Sequence, residues 1–179
     1  MKPETQTVPS QINQMVIFKV ADEIFATNIN SIREVIKLVE ITPVPNSHDY
    51  IKGIINIRGK IVPVMDLGIV LKIGSHVSKD SNILLIDAPD NAMVGVIVDE
   101  VSEIRSFKSD EIKPAPKMVK SKVESEFIAG VILPTNSTDQ EKVILFVDLE
   151  AIINKSVAGV IDQIKSAQEE TKIINKETP

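Results

Sequence analysis

Apolar residues fall in short β-branched runs broken by turn residues, with few long helical stripes. Residues 15–20 and 24–26 are two such runs around Ala21-Asp22-Glu23, which predicts a hairpin. Asn28 or Asn30 caps a predicted helical turn, and the β-branched content of residues 32–39 predicts a strand. The runs 51–57 and 61–65 flank Asn56-Ile57-Arg58-Gly59-Lys60, where Gly59 supplies a positive φ. This predicts a hairpin with an arginine at its tip. Residues 66–73 predict a short helix capped by Asp66 and stopped by Gly74, followed by a polar loop to Asn82. Strands are predicted at 83–86 and 93–98 around Pro89-Asp90-Asn91, and at 101–107. Residues 112–116 hold Pro114 and Pro116 and cannot be a central strand, because proline lacks the ladder donor. A last strand pair, 127–133 and 142–147, spans a loop at 136–140, and Asp148 opens a helix.

Many short strands, frequent turns and few helices predict an all-β protein built of small barrels. An internal echo supports two lobes. Residues 53–66 and 130–148 share a glycine-led apolar strand, a polar turn, an apolar strand ending in Asp-Leu, and a short helix. Residues 1–14, with Pro3, Pro9 and many Gln, Thr and Ser, predict a mobile leader. At the other end Val157, Val160, Ile161, Ile164 and Gln168 recur at helical spacing, which predicts one amphipathic helix over about 149–170, weakened at Gly159. It either packs back on its own barrel or forms a partner-binding segment. Residues 171–179 are expected to fray.

With 179 residues, 43% hydrophobic and 25% charged, the chain has material for a buried core in one domain or two small lobes. The absence of cysteine excludes disulfides, thiolate zinc sites and a cysteine nucleophile. A net charge of −5, with five Phe, one Tyr and no Trp, disfavours nucleic acid, which calls for a basic face and stacking platforms. No apolar run approaches the roughly 18 residues of a membrane span, and the polar N-terminus is not a secretory signal, so a cytoplasmic location is expected.

Candidate chemistry is sparse. The glycines at 53 and 59 are one residue too far apart for a phosphate loop, and Ile61 stands where a Ser or Thr would bind magnesium. Ser47-His48-Asp49 are contiguous, whereas the members of a triad come from separated segments. His76 has no second imidazole beside it for a metal. Asp87, Asp90, Asp99 and Glu100 lack calcium-loop spacing and are expected to be solvated turn charges. Asp66 and Asp148 each precede an apolar helical run and are expected to be helix caps. No catalytic residue, cofactor or metal is expected. A rigidly held arginine is instead a favoured anchor for another protein, although by itself Arg58 could equally be an ordinary solvated hairpin residue.

Pro43-Val44-Pro45-Asn46, Tyr50-Ile51-Lys52-Gly53, Asn56-Ile57-Arg58-Gly59 and Val62-Pro63-Val64-Met65-Asp66-Leu67 follow one another in an order that resembles the CheW family. This is the adaptor family that couples chemotaxis receptors to the histidine kinase CheA. The resemblance runs from about Gln14 to Asn154. It implies two interleaved five-stranded β-barrels of the Src-homology-3 type, in a domain over 14–154 with a leader at 1–13 and a tail at 155–179. It implies a non-enzymatic adaptor, cytoplasmic and associated with receptor arrays at the membrane, with no cofactor. The implied partners are the regulatory domain of CheA and the cytoplasmic tip of methyl-accepting chemoreceptors. Receptor binding is implied at Ile32, Glu34, Gly53, Asn56, Arg58 and Gly59. Two residues depart from the pattern: Ile57 replaces the commoner leucine, and Gly68 stands where family members often carry arginine. A receiver-less relative of CheV, or a detached kinase regulatory module, is the neighbouring alternative, and a small hydrolase is a remote one.

Overall fold

The computed structural model describes residues 11–115, 125–133 and 142–177. Eleven strands alternate with short helices: β1 Ile12–Val20, β2 Glu23–Asn28, β3 Glu34–Lys37, β4 Ile51–Ile57, β5 Lys60–Asp66, α1 Leu67–Val70, β6 Asn82–Ala88, β7 Ala92–Val98, β8 Glu100–Lys108, β9 Ile112–Lys113, β10 Ile128–Ile132, β11 Ile144–Val147, α2 Leu149–Ser156 and α3 Ala158–Glu177. They form a six-stranded sheet, β8-β1-β2-β11-β10-β9, and a five-stranded sheet, β3-β6-β7-β5-β4. The sixth strand of the larger sheet is the two-residue β9, so the expected five-stranded plan gains only a short edge piece there.

Each sheet curls around its own core. Ile36, Ile55, Val64, Leu85 and Ile97, one from each strand of the smaller sheet, pack into a single cluster. Met15, Ala26, Phe107, Ile112, Ile132 and Ile144 do the same for all six strands of the larger sheet. A third core lies between the lobes, where Phe18 and Phe25 meet Leu84 and Val96, with Leu149 and Ile152 of α2 closing over them. Strands β1, β6 and β7 therefore bury side chains on both faces, which is why their sequences are continuous apolar runs and do not alternate apolar with polar.

The internal echo is a repeat of pairing, not only of pattern. In the smaller lobe β6 and β7 are antiparallel, β7 runs parallel to β5, and β5 is antiparallel to β4. In the larger lobe β1 and β2 are antiparallel, β2 runs parallel to β11, and β11 is antiparallel to β10. Both glycine-led strands carry a register shift just before the glycine, between Ile51 and Gly53 and between Ile128 and Gly130. At both, a Cβ would collide with a backbone carbonyl, 2.1 Å from Thr42 O at Gly53 and 2.7 Å from Lys113 O at Gly130. The Asp66 and Asp148 amides donate to the Tyr50 and Phe127 carbonyls at 2.8 and 2.9 Å, and the two carboxylates cap α1 and α2 as expected. The lobes differ in chain order. The paired hairpin follows the helix in the smaller lobe and comes first, as β1 and β2, in the larger, so the two are interleaved.

Several boundaries differ from expectation. β1 begins at Ile12, inside the predicted leader, because Ile12 pairs with Lys108 of β8; residues 1–10 lie outside the described residues. α1 is one turn, after which the chain folds back so that the Ile73 amide donates to the Gly68 carbonyl at 2.9 Å. The single tail helix is two helices, broken at Val157 and not at Gly159. α3 continues to Glu177, where fraying was expected from residue 171. Val157 and Ile161 are buried in the inter-lobe core, which roots α3 on the body. Ile112–Lys113 is an edge strand, as the prolines require; the predicted loop at 136–140 lies outside the described residues. Among the described residues, no helix is long and apolar enough to cross a membrane.

Asp99 is not a solvated turn charge. Its amide donates to Lys19 O at 2.9 Å and its carboxylate accepts from the Ala21 amide at 2.7 Å, joining the end of β7 to the β1–β2 turn of the other lobe. Burial raises its pKa, the Ala21 hydrogen bond and His76 oppose the shift, and Asp66 adds to it. An acid whose pKa is raised on folding gives its stabilisation below the unfolded pKa and loses it as pH rises through the folded value. Asp99→Asn, which keeps an acceptor for Ala21, should therefore melt higher than the parent near pH ~7, the gap closing on acidification toward ~3.5. Thermal melts across that range read this directly, and a gap that widens on acidification would contradict the sign. Separately, ending the chain after Val157 should lower stability by about 2 kcal/mol, the apolar burial lost with Ile161 and the core surface it covers, measurable by denaturant titration.

Candidate functional site

The two ends of the smaller sheet, β3 and β4, meet at a seam. Thr42 crosses to the open edge of β4, where its amide donates to Ile54 O at 2.9 Å and its carbonyl accepts from the Ile54 amide at 2.8 Å. Close approach of the two backbones is possible only because Gly53, at φ +146°, has no side chain. Gly53 is buried beneath Thr42, so it shapes the seam and presents no surface of its own.

At one end of this seam is the β4–β5 turn. Ile57 pairs with Lys60, and the two central residues, Arg58 at φ 51° and Gly59 at φ 80°, are both left-handed. This is the geometry of a two-residue hairpin turn that matches strand twist. Asn56 Oδ1 accepts from the Gly59 amide at 2.8 Å and holds the turn. Arg58, which carries a Cβ, is strained there, and the turn aims its guanidinium back at β3, where Nη2 lies 3.2 Å from Glu34. The Arg58 side chain remains 76% exposed, so most of its donor fork faces solvent.

Ile32 is two residues before Glu34, and both are half-buried while Arg33, at the bend between them, is exposed. Ile32 ends the helical turn capped by the Asn28 side chain, as expected, and its amide donates to Ile29 O at 3.1 Å. Its half-buried side chain packs on the inter-lobe core. Ser31 Oγ donates to Glu150 Oε1 at 3.0 Å, which ties this corner to α2. The structure thus pairs Glu34 with Arg58 and places Ile32 two residues before Glu34, with Asn56 and Gly59 forming the turn that carries Arg58 and Gly53 buried within β4.

Other candidates disperse. Ser47 Oγ donates to Val44 O, and His48 stacks on Tyr50 with ring centroids 5.1 Å apart, so no triad forms. Tyr50 Oη donates to Ser156 O at 2.9 Å, and burial pushes its phenol pKa up. Asp87, Asp90 and Glu100 pair with Arg33, Lys165 and Lys19 respectively. Among the described residues no group of three His, Asp or Glu is placed to hold a metal ion. The site is suited to gripping another macromolecule: an apolar contact, a paired acid and a protruding arginine on a rigid seam. The Arg33–Asp87 pair next to it escaped the sequence reading, because nothing in the spacing of residues 54 apart marks them as partners.

A CheW-like domain profile matches residues 14–157. The chain belongs to the CheW family. It is 28% identical over 152 residues to the chemotaxis protein CheW of Klebsiella aerogenes, covering 84% of this chain and 87% of that protein. It is also 28% identical over 152 residues to the chemotaxis protein CheW of Bacillus subtilis, covering 94% of that protein. The crystal structure of the scaffolding protein TtCheW from Thermoanaerobacter tengcongensis superposes with a TM-score of 0.68 at 33% identity, covering 80% of this chain and 93% of that one. The α3 helix lies beyond the matched CheW-like domain. The departure at Gly68 has a steric cause: a Cβ there would lie 1.9 Å from Gly74 O, so the loop that folds back over α1 leaves no room for arginine.

If Arg58 is held in a conformation that glycine adopts freely, Arg58→Gly should stabilise the fold by about 1 kcal/mol in urea titrations. The exposed Glu34 pair it gives up is worth less than that. A destabilised variant would show that the turn is not strained.

Proposed function

We propose that this CheW-family chain is a non-enzymatic chemotaxis adaptor that couples the cytoplasmic tips of methyl-accepting chemoreceptors to the histidine kinase CheA, working in the cytoplasm at receptor arrays. The observation that carries the reading is the seam itself, where Arg58 projects from a fixed turn beside Glu34 and Ile32. An arginine on a backbone turn of fixed shape, near a half-buried aliphatic side chain, is a typical interface anchor, because the turn fixes where its fork can reach. A receptor hairpin resting there would bury Ile32 further and satisfy the outward donors of Arg58. Gly53, Asn56 and Gly59 would act from behind by holding the arginine in place.

An adaptor also needs surface for its second partner. Exposed apolar side chains stand on both lobes, Val35 of β3, Val39 just after it and Ile61 of β5 on one, and Ile12 of β1 and Ile104 of the edge strand β8 on the other. Barrel-to-barrel docking of the kinase regulatory domain through Ile12 and Ile104 of the larger lobe would leave the seam to the receptor. Each contact alone can be weak, since simultaneous engagement raises effective affinity without new contacts.

Ile32→Asp and Arg58→Asp should each weaken receptor binding by on the order of 2 kcal/mol, some thirtyfold, the usual cost of a charge error near an interface centre. Kinase affinity should hold in both. Separate titrations against a receptor fragment and the kinase regulatory domain, with circular dichroism as the folding control, measure this. Unchanged receptor affinity in folded variants would misplace the groove, and parallel loss of both affinities would rule out two separate faces.

A further inference from the structure

We propose that the β6–β7 turn positions the receptor-facing residues 32–34, with Arg33 and Asp87 as the positioning pair; the inference rests on the receptor reading of the seam. Arg33 stands at a bend between Ile32 and Glu34, and it is exposed where they are half-buried, so its side chain is turned outward from theirs. There Arg33 Nη1 donates to Asp87 Oδ1 at 2.8 Å, while its amide donates to Leu85 O at 2.8 Å. The segment is thus held to β6 twice, once by backbone and once by charge. Ala88 and Ala92, on either side of the turn, pack against the same inter-lobe core as Ile32. The turn and the proposed receptor contact therefore share a footing.

The turn is also held from its far side. Asp90 Oδ2 accepts from Lys165 Nζ at 3.1 Å, and Lys165 belongs to α3. Asp90 and Asn91 are both left-handed, at φ 59° and 58°, a shape that Asp and Asn adopt in tight hairpin turns. The turn is thus flanked by two cations, Arg33 paired with Asp87 at the end of β6 and Lys165, from the helix beyond the matched domain, paired with Asp90. Both pairs are largely exposed, so neither contributes much to overall stability. Their effect is expected in orientation: with the pair broken, residues 32–34 are less ordered before binding, and the receptor has to order them.

The test measures binding of a soluble fragment carrying a chemoreceptor cytoplasmic tip to the full-length chain. Asp87→Lys and Arg33→Asp should each weaken it about fivefold, while the swap Arg33→Asp with Asp87→Arg returns it to within about twofold of the parent. Asp90→Lys should weaken it to a smaller extent and be rescued by Lys165→Asp. Melting temperature and affinity for the kinase regulatory domain should stay level across the set. Single variants that bind like the parent would overturn the inference. So would a swap that stays as weak as the singles together, since Arg33 would then touch the receptor itself. A parent chain that binds the kinase but not the receptor fragment would instead overturn the receptor reading, and this inference with it.

Discussion

Phe18 and Phe25 stack across β1 and β2 with ring centroids 5.9 Å apart, fully out of water, in a core that belongs to neither barrel alone. Each ring contributes roughly 2–3 kcal/mol by leaving water, but only because the other lobe supplies Leu84 and Val96 to meet it. The small barrel interiors are lined mostly by aliphatic side chains, and the large aromatic pair is reserved for the junction. Neither lobe could shed the other without exposing a face as apolar as its own interior. The relative placement of the lobes, and with it the corner where Ile32 meets α2, is thus set by core packing and not by loops.

That constraint explains what was legible in the sequence and what was not. Strand positions were readable, since turn residues such as Pro89-Asp90-Asn91 and Arg58-Gly59 punctuate them whatever the fold. Helix caps were readable at Asp66 and Asp148 because a cap acts within three residues. The echo between residues 53–66 and 130–148 was visible as a pattern, whereas the interleaving was legible only through the family resemblance. Which lobe owns β1 and β2 depends on the parallel pairing of β2 with β11, over a hundred residues away in the chain. Two-faced burial also removes the alternation that would have told one side of β6 from the other. The helix break at Val157 was hidden for a similar reason: its apolar side chain fits the helical stripe, and only its place in the inter-lobe core shows where α2 ends.

The site was legible in a different way. Physical reading of the residues could mark Arg58 as held by a glycine-bounded turn, but the same features suit any solvated hairpin. Resemblance to a family supplied the role, and the structure supplied its partner Glu34, which lies 24 residues earlier in the chain and on a strand at the opposite end of the sheet. Gly53 shows the converse. It was singled out with the surface residues, whereas its place is under Thr42, where a missing side chain allows two backbones to meet.

Strain at the turn connects stability to the proposed role. An arginine in the left-handed region costs about 1 kcal/mol that glycine would not, and a fold of ordinary stability can carry that cost at only a few positions. The exposed bond to Glu34 does not offset it. Asn56 contributes by bonding Gly59, yet that bond would serve a glycine at position 58 equally well. Nothing within the chain therefore favours arginine at the tip over a smaller residue. What remains is a largely exposed donor fork on a backbone turn whose shape, unlike the side chain's, is settled during folding, before any partner arrives. The β6–β7 turn is also built on left-handed residues, Asp90 and Asn91, with cations paired to Asp87 and Asp90 on either side. In both places, departure from the locally preferred backbone marks where this barrel pair is organised for contact with another molecule.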